Sequence, residues 1–122
     1  MGDHRKLKAW QAARVLAGDT YRITRSFPSE ERFGLTMQAR RAASSIMANL
    51  AEGCGRNGDR ELLRFVRIAQ GSAAELDSHL VLADDLIMAP TDKLTLLQVE
   101  LSKLRGMLAR LAKRLSDSLT DS

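Results

Sequence analysis

Apolar residues recur along this chain at the period of a helical face, four times over. Leu7, Trp10, Ala13, Leu16 or its neighbour Ala17, and Tyr21 recur three to five residues apart, which predicts a first helix over about residues 7–26. Phe27-Pro28 ends it, because proline disfavours helical geometry in the residue before it. A short turn over residues 29–33 leads to Gly34, and Thr36 is placed to cap a second helix of about residues 36–52. Ala39, Ala42, Ala43, Ile46, Leu50 and Ala51 form its apolar face, and their small side chains let a neighbour approach closely. Gly53, Gly55 and Gly58 then close it. Asp59 can cap a third helix, about residues 59–88, whose face is Leu62, Phe65, Val66, Ala69, Ala73, Leu76, Leu80 and Ala83. Gly71 interrupts this helix, and the expected reason is a close helix crossing. After Pro90 the pattern is cleanest: Leu94, Leu97, Leu101, Leu104, Leu108, Leu111 and Leu115 alternate spacings of three and four. That is an a/d seam over about residues 92–115, packed inside the chain or against another subunit. Residues 116–122 read as a polar tail that frays.

The fold class that follows is all-α. Short connections favour antiparallel neighbours, so the expectation is a single domain over residues 1–122, an up-down-up-down four-helix bundle. Composition agrees, since aromatic residues are only 4% of the chain and the core must come from Leu, Ala, Ile, Val and Met. The single cysteine, Cys54, excludes an intramolecular disulfide. No apolar run is long enough to span a membrane and no signal core follows the N-terminus, so the expectation is a cytoplasmic protein without a membrane partner.

Folding four helices this way sorts the charge. The formal net charge is +4, but one end of the bundle collects Arg5, Lys6, Lys8, Arg56, Arg60, Arg64, Arg67, Arg110, Lys113 and Arg114. Asp3, Asp59 and Glu61 are the acids among them. The other end receives Asp84, Asp85 and Asp92, with Glu30 and Glu31 set among Arg22, Arg25 and Arg32. Between residues 68 and 92 there is no Lys or Arg. The candidate nucleic-acid-binding set is Arg56, Arg60, Arg64, Arg67, Arg110, Lys113 and Arg114, since arginine forks pair well with phosphate oxygens. The alternative is a solvated, salt-screened surface. These arginines are not read as interleaved with aromatic residues, so a base-stacking platform is not expected.

A second candidate set runs beside the apolar face of the second helix. Gln38, Arg41, Ser45, Asn49 and Glu52 lie three or four apart, and Ser72 and Glu75 stand in similar register on the third helix. Such a stripe is exposed, or a buried polar network, or an oligomer contact. Catalytic chemistry finds little support. Gly53, Gly55 and Gly58 spell G-x-G-x-x-G, but that motif binds dinucleotides only after a β-strand. Glu52 and Glu75 lack the Glu-x-x-His partner of a bundle metal site. Cys54 has no nearby histidine base. No catalytic residue, metal or cofactor is expected.

The stretch from Phe27 to Glu75 also carries a resemblance. Phe27-Pro28, Glu31, Gly34-Leu35-Thr36, Gln38, Arg40-Arg41-Ala42, Ser45-Ile46, Asn49, Ala51-Glu52-Gly53 and Ala69-Gln70-Gly71-Ser72 with Glu75 together resemble the bacterial 23S rRNA intervening-sequence proteins. The resemblance implies a four-helix bundle, commonly a ring-like homopentamer, with no catalytic residue set. A related branch, the accessory variability determinants of diversity-generating retroelements, is similar in fold pattern and basic surface; those proteins bind a reverse transcriptase and its template RNA. The function expected is a non-enzymatic, oligomeric, RNA-binding or RNA-associated protein. The alternative is a protein-interaction scaffold or accessory subunit, for example for a reverse transcriptase.

Overall fold

The computed structural model describes residues 2–120. They form four helices, α1 (Lys8–Thr24), α2 (Leu35–Gly55), α3 (Gly58–Asp85) and α4 (Thr91–Thr120), with short 3-10 turns at His4–Lys6 and Ser29–Glu31. There is no strand among the described residues. Each helix touches the next, and α4 returns to α1, while the diagonal pairs stay out of backbone contact. One apolar core fills the middle.

The core follows the sequence period closely in α3 and α4. All eight apolar positions expected of α3 are buried, and Ser72 joins them. All seven seam leucines of α4 are buried within this one chain, so the seam packs internally. Each such leucine stabilises the fold by roughly 1.5–3 kcal/mol relative to an exposed one.

In α1 the expected face is partly displaced. Tyr21 is exposed, and the guanidinium of Arg40, from α2, stacks 4.7 Å from its ring centroid. Thr20 and Thr24 take the core positions instead. Their hydroxyls donate to the carbonyls of Leu16 and Thr20, each at 2.8 Å, so the methyl groups can pack without an unsatisfied polar atom. Arg40 Nε also donates to Thr24 Oγ1 at 2.8 Å, tying the end of α1 to the start of α2.

Several helix ends differ from the expectation. Helix α2 begins at Leu35 with Gly34 as its N-cap, and Thr36 lies buried inside the first turn. The Glu31 carboxylate accepts the Leu35 N–H at 3.2 Å and does the capping work expected of Thr36. Asn57, not Asp59, is the N-cap of α3. Asp59 reaches across to accept a hydrogen bond from Ser118 of α4 at 3.2 Å. Helix α4 continues to Thr120, past the point where fraying was expected. Lys113 pairs with Asp117 at 2.9 Å one turn on, and Thr120 Oγ1 donates to the Asp117 carbonyl at 3.0 Å. The last two residues of the expected tail lie outside the described residues.

The glycines divide sharply. Gly53 belongs to the body of α2, buried, where a Cβ would sit 2.8 Å from Phe65 Cβ and 3.0 Å from Leu62 Cδ1 of α3. Gly71 is exposed, and a Cβ there would meet nothing within 4 Å. The close helix crossing expected at Gly71 is therefore at Gly53. Gly58, with φ +86°, makes the reversal between α2 and α3.

Candidate nucleic-acid interface

The start of α1 and the last turns of α4 border a groove of about 940 Å³. Its floor is apolar, made by Leu7, Ala9, Met107 and Leu111. Five cationic side chains stand around it: Lys6, Lys8, Arg110, Lys113 and Arg114. Two carboxylates, Asp3 and Asp117, temper that charge, and Asp117 holds Lys113. Lys6 and Lys8 join Arg110, Lys113 and Arg114 here only because the chain's first and fourth helices are neighbours. Asp117 was absent from the sequence-based set, and the i,i+4 spacing from Lys113 is the signal that could have found it.

The other four arginines gather away from this groove. Arg64 packs 4.4 Å and Arg56 5.4 Å from the ring centroid of Phe65. An aromatic residue is thus interleaved with these arginines, contrary to the expectation: Phe65 follows Arg64 directly and precedes Arg67 in the sequence. Phe65 is buried, so its ring carries guanidinium groups and is closed to a nucleobase. Arg64 also donates to Glu61 at 2.9 Å, and that hydrogen bond holds the Glu61 carboxyl below its usual range. Arg56 pairs with Glu52 at 3.2 Å. Arg60 and Arg67 project from α3 into solvent. Half of this second cluster is therefore already engaged by its own chain.

The polar stripe separates into an inner and an outer part. Ser45 and Ser72 join α2 to α3 through a 2.9 Å hydroxyl contact, and Asn49 Nδ2 donates to the Ser45 carbonyl and hydroxyl at 2.8 and 3.0 Å. These three satisfy one another between the helices. Gln38, Arg41, Glu52 and Glu75 face solvent. Glu75 meets His79 at 3.3 Å, and His4 packs edge-on against Trp10. Cys54 is buried, and that burial pushes its thiol up, away from the reactive thiolate.

A second, smaller space of about 240 Å³ lies further along the same side, between Asp19, Arg22 and Ile23 of α1 and Lys93, Leu96, Leu97 and Glu100 of α4. Burial first, and a hydrogen bond to Asp19 second, push the Glu100 carboxyl up to about 7. The Arg22 hydrogen bond holds Asp19 low. Glu100 Oε1 is buried without a partner. A carboxyl raised in the folded state binds its proton more tightly there than in the unfolded chain. Its contribution is therefore complete below the ordinary glutamate range and is lost as pH rises through about 7. Solvent screening of this part-exposed pair holds the effect to about 1 kcal/mol. Glu100→Gln, which keeps a donor for Asp19, is expected to stabilise the protein at pH 8 and to flatten the decline between pH 5 and 7.5. Urea melts across that range check it, and an unchanged pH profile would contradict the assignment.

No helix among the described residues is long and apolar enough to cross a membrane. A family model described as 23S rRNA-intervening sequence protein matches residues 5–110, nearly the whole of the four-helix region. No curated protein matches the chain significantly.

Proposed function

The chain belongs to the 23S rRNA-intervening sequence protein family, and from that premise we propose a non-enzymatic, oligomeric protein that associates with RNA through its basic pole. The observation that carries the reading is the groove between α1 and α4, with five cationic side chains against two acids. Phosphates are the fitting ligand. Lys and Arg displace condensed counterions from them, and arginine adds paired hydrogen bonds. The apolar floor suits a sugar edge lying between two phosphates.

The arrangement behind this pole is an antiparallel up-down-up-down bundle. Four contacts support it. Leu7 and Ala9 at the start of α1 share a groove with Met107 and Leu111 near the end of α4. Arg40 near the start of α2 reaches Thr24 at the end of α1. Gly53 near the end of α2 meets Leu62 and Phe65 near the start of α3. Ser118 near the end of α4 reaches Asp59 in the first turn of α3. Assembly as the ring-like homopentamer that the family resemblance implies would repeat the groove around an axis and raise avidity without new contacts.

The test is binding of the purified protein to labelled structured RNA and to duplex DNA across a salt series. The expected result is RNA binding that weakens steeply with salt. Five phosphate contacts correspond to a log–log slope of about −3.5 to −4.5. Absence of binding at low salt would remove the phosphate reading and leave the basic pole a solvated surface.

A further inference from the structure

The shape of the groove between α1 and α4 narrows which RNA it can hold. Packed neighbouring helices lie about 8–10 Å apart axis to axis, so a furrow between two of them is about one polynucleotide strand wide. Its volume of about 940 Å³ stands at the upper end of small-molecule sites, with room for more than one nucleotide and too little for a duplex to enter. Lys6 and Lys8 come from the α1 side, and Arg110, Lys113 and Arg114 from α4. All five are exposed. Arg110 and Arg114 are one helical turn apart, about 6 Å along the axis, close to the step between neighbouring phosphates of a strand.

Between these cations the floor is apolar. Leu7, Ala9 and Leu111 are buried, whereas Met107 is half-buried and keeps surface for a ligand. A methionine side chain is flexible and polarisable, and its sulfur makes favourable contact with aromatic rings. A nucleobase is such a ring. No residue that lines the groove is aromatic, so Met107 is where a base would rest. In a duplex the bases are paired and stacked inside, so a duplex lying on the cations leaves Met107 uncovered. A single strand can set its phosphates on either side and turn a base inward. Asp3 and Asp117 fit the same picture. Carboxylates repel a continuous row of phosphates but accept hydrogen bonds from the amino group of a base.

Building on the phosphate reading, we propose that the groove is a site for single-stranded RNA, with phosphates held by the cations on either side and a base turned in against Met107. Electrostatics alone orders the ligands the other way. A duplex carries the higher charge density and contributes about 0.9 to the log–log salt slope per phosphate contact, against about 0.7 for a single strand. A basic surface without a groove therefore binds the duplex more tightly. Preference for the strand measures the groove and not the net charge.

Fluorescence anisotropy tests it with a labelled RNA of A and C, about 12 nucleotides long, free and annealed to its complement, at about 0.1 M salt. The single strand is expected to bind at least about tenfold more tightly than the duplex. Met107→Ala should lower affinity for the strand about two- to tenfold, the range of a sulfur–aromatic contact, and leave affinity for the duplex unchanged. A thermal melt shows that the variant is folded. The wild-type comparison needs no variant, so it decides even where Met107→Ala does not fold. Duplex binding as tight as strand binding overturns the proposal and leaves the phosphate reading standing. So does a folded Met107→Ala that binds the strand like the wild type, or that weakens both RNAs equally. Binding of neither RNA at low salt overturns the phosphate reading and the single-strand proposal together.

Discussion

Replacing Arg110, Lys113 and Arg114 together with glutamine is expected to lower RNA affinity about 100-fold at 0.1 M salt. The three side chains line one groove. Each phosphate contact contributes about 0.7–0.9 to the log–log salt slope, so three lost contacts flatten it by about 2 to 2.7. Extrapolated from 1 M to 0.1 M salt, that slope corresponds to two to three decades of affinity. The lower figure is expected because Lys113 is partly neutralised by Asp117. Stability should hardly change. All three side chains are exposed, and the Lys113–Asp117 pair contributes about 0.3–0.5 kcal/mol at most. Filter binding with a melting curve on the same preparation separates the two effects. The companion variant Arg60→Gln/Arg67→Gln identifies which cluster acts. If it abolishes binding while the groove variant binds normally, the interface belongs to α3 and the groove assignment fails.

Gly53→Ala is expected to destabilise the protein by about 1–2 kcal/mol, although it adds one methyl group in a helix that favours alanine. Propensity alone would stabilise by about 1 kcal/mol. Packing wins because the new Cβ would sit 2.8 Å from Phe65 Cβ and 3.4 Å from Leu62 Cα, atoms close to or on the α3 backbone. Those atoms cannot rotate away, so α2 and α3 must separate, and overpacking of this sort costs typically 1–3 kcal/mol. Phe65 would lose register beneath Arg56 and Arg64 as well. Gly71→Ala is the control, with open space around the added carbon, and should stabilise by about 0.5–1 kcal/mol. Chemical denaturation of both variants tests the contrast. Equal effects would mean that α2 and α3 do not meet at Gly53.

The helical pattern was most legible where one residue type kept the period. The leucines of α4 have no competitor for the core, so period and burial coincide. Helix α1 was harder, since hydropathy ranks Tyr21 above Thr20 and Thr24. Threonine enters a core once its hydroxyl bonds the preceding turn, and hydropathy does not count that bond. The cap at Gly34 escaped because its partner group comes from Glu31, outside the helix, and Asn57 caps α3 without a side-chain hydrogen bond. Glycine was the least legible residue. Gly53 and Gly71 are both helical, and only the neighbouring helix distinguishes them. For the site, helix order was enough to bring Lys6 and Lys8 to Arg110, Lys113 and Arg114. It did not separate the groove cluster from the Phe65 cluster, because that depends on which flank of each helix the charges occupy. The polar stripe likewise divided by flank, with Ser45, Asn49 and Ser72 inside and Gln38, Arg41, Glu52 and Glu75 outside.

Both open spaces described above, the cationic groove and the carboxyl pair, lie where α1 meets α4. Of the four touching helix pairs, this is the one that no loop connects directly. Their closeness is enforced through α2 and α3, so closing this side is the longest-range step in building the fold and carries the largest chain-entropy penalty. The molecule resembles a book bound along three edges, with its fourth edge the natural place to part. A polyanion bound as proposed, clasping Lys6 or Lys8 to Arg110 and Arg114, would act as a fastener at that edge. Binding at that edge and the order of local unfolding are then one property of the chain.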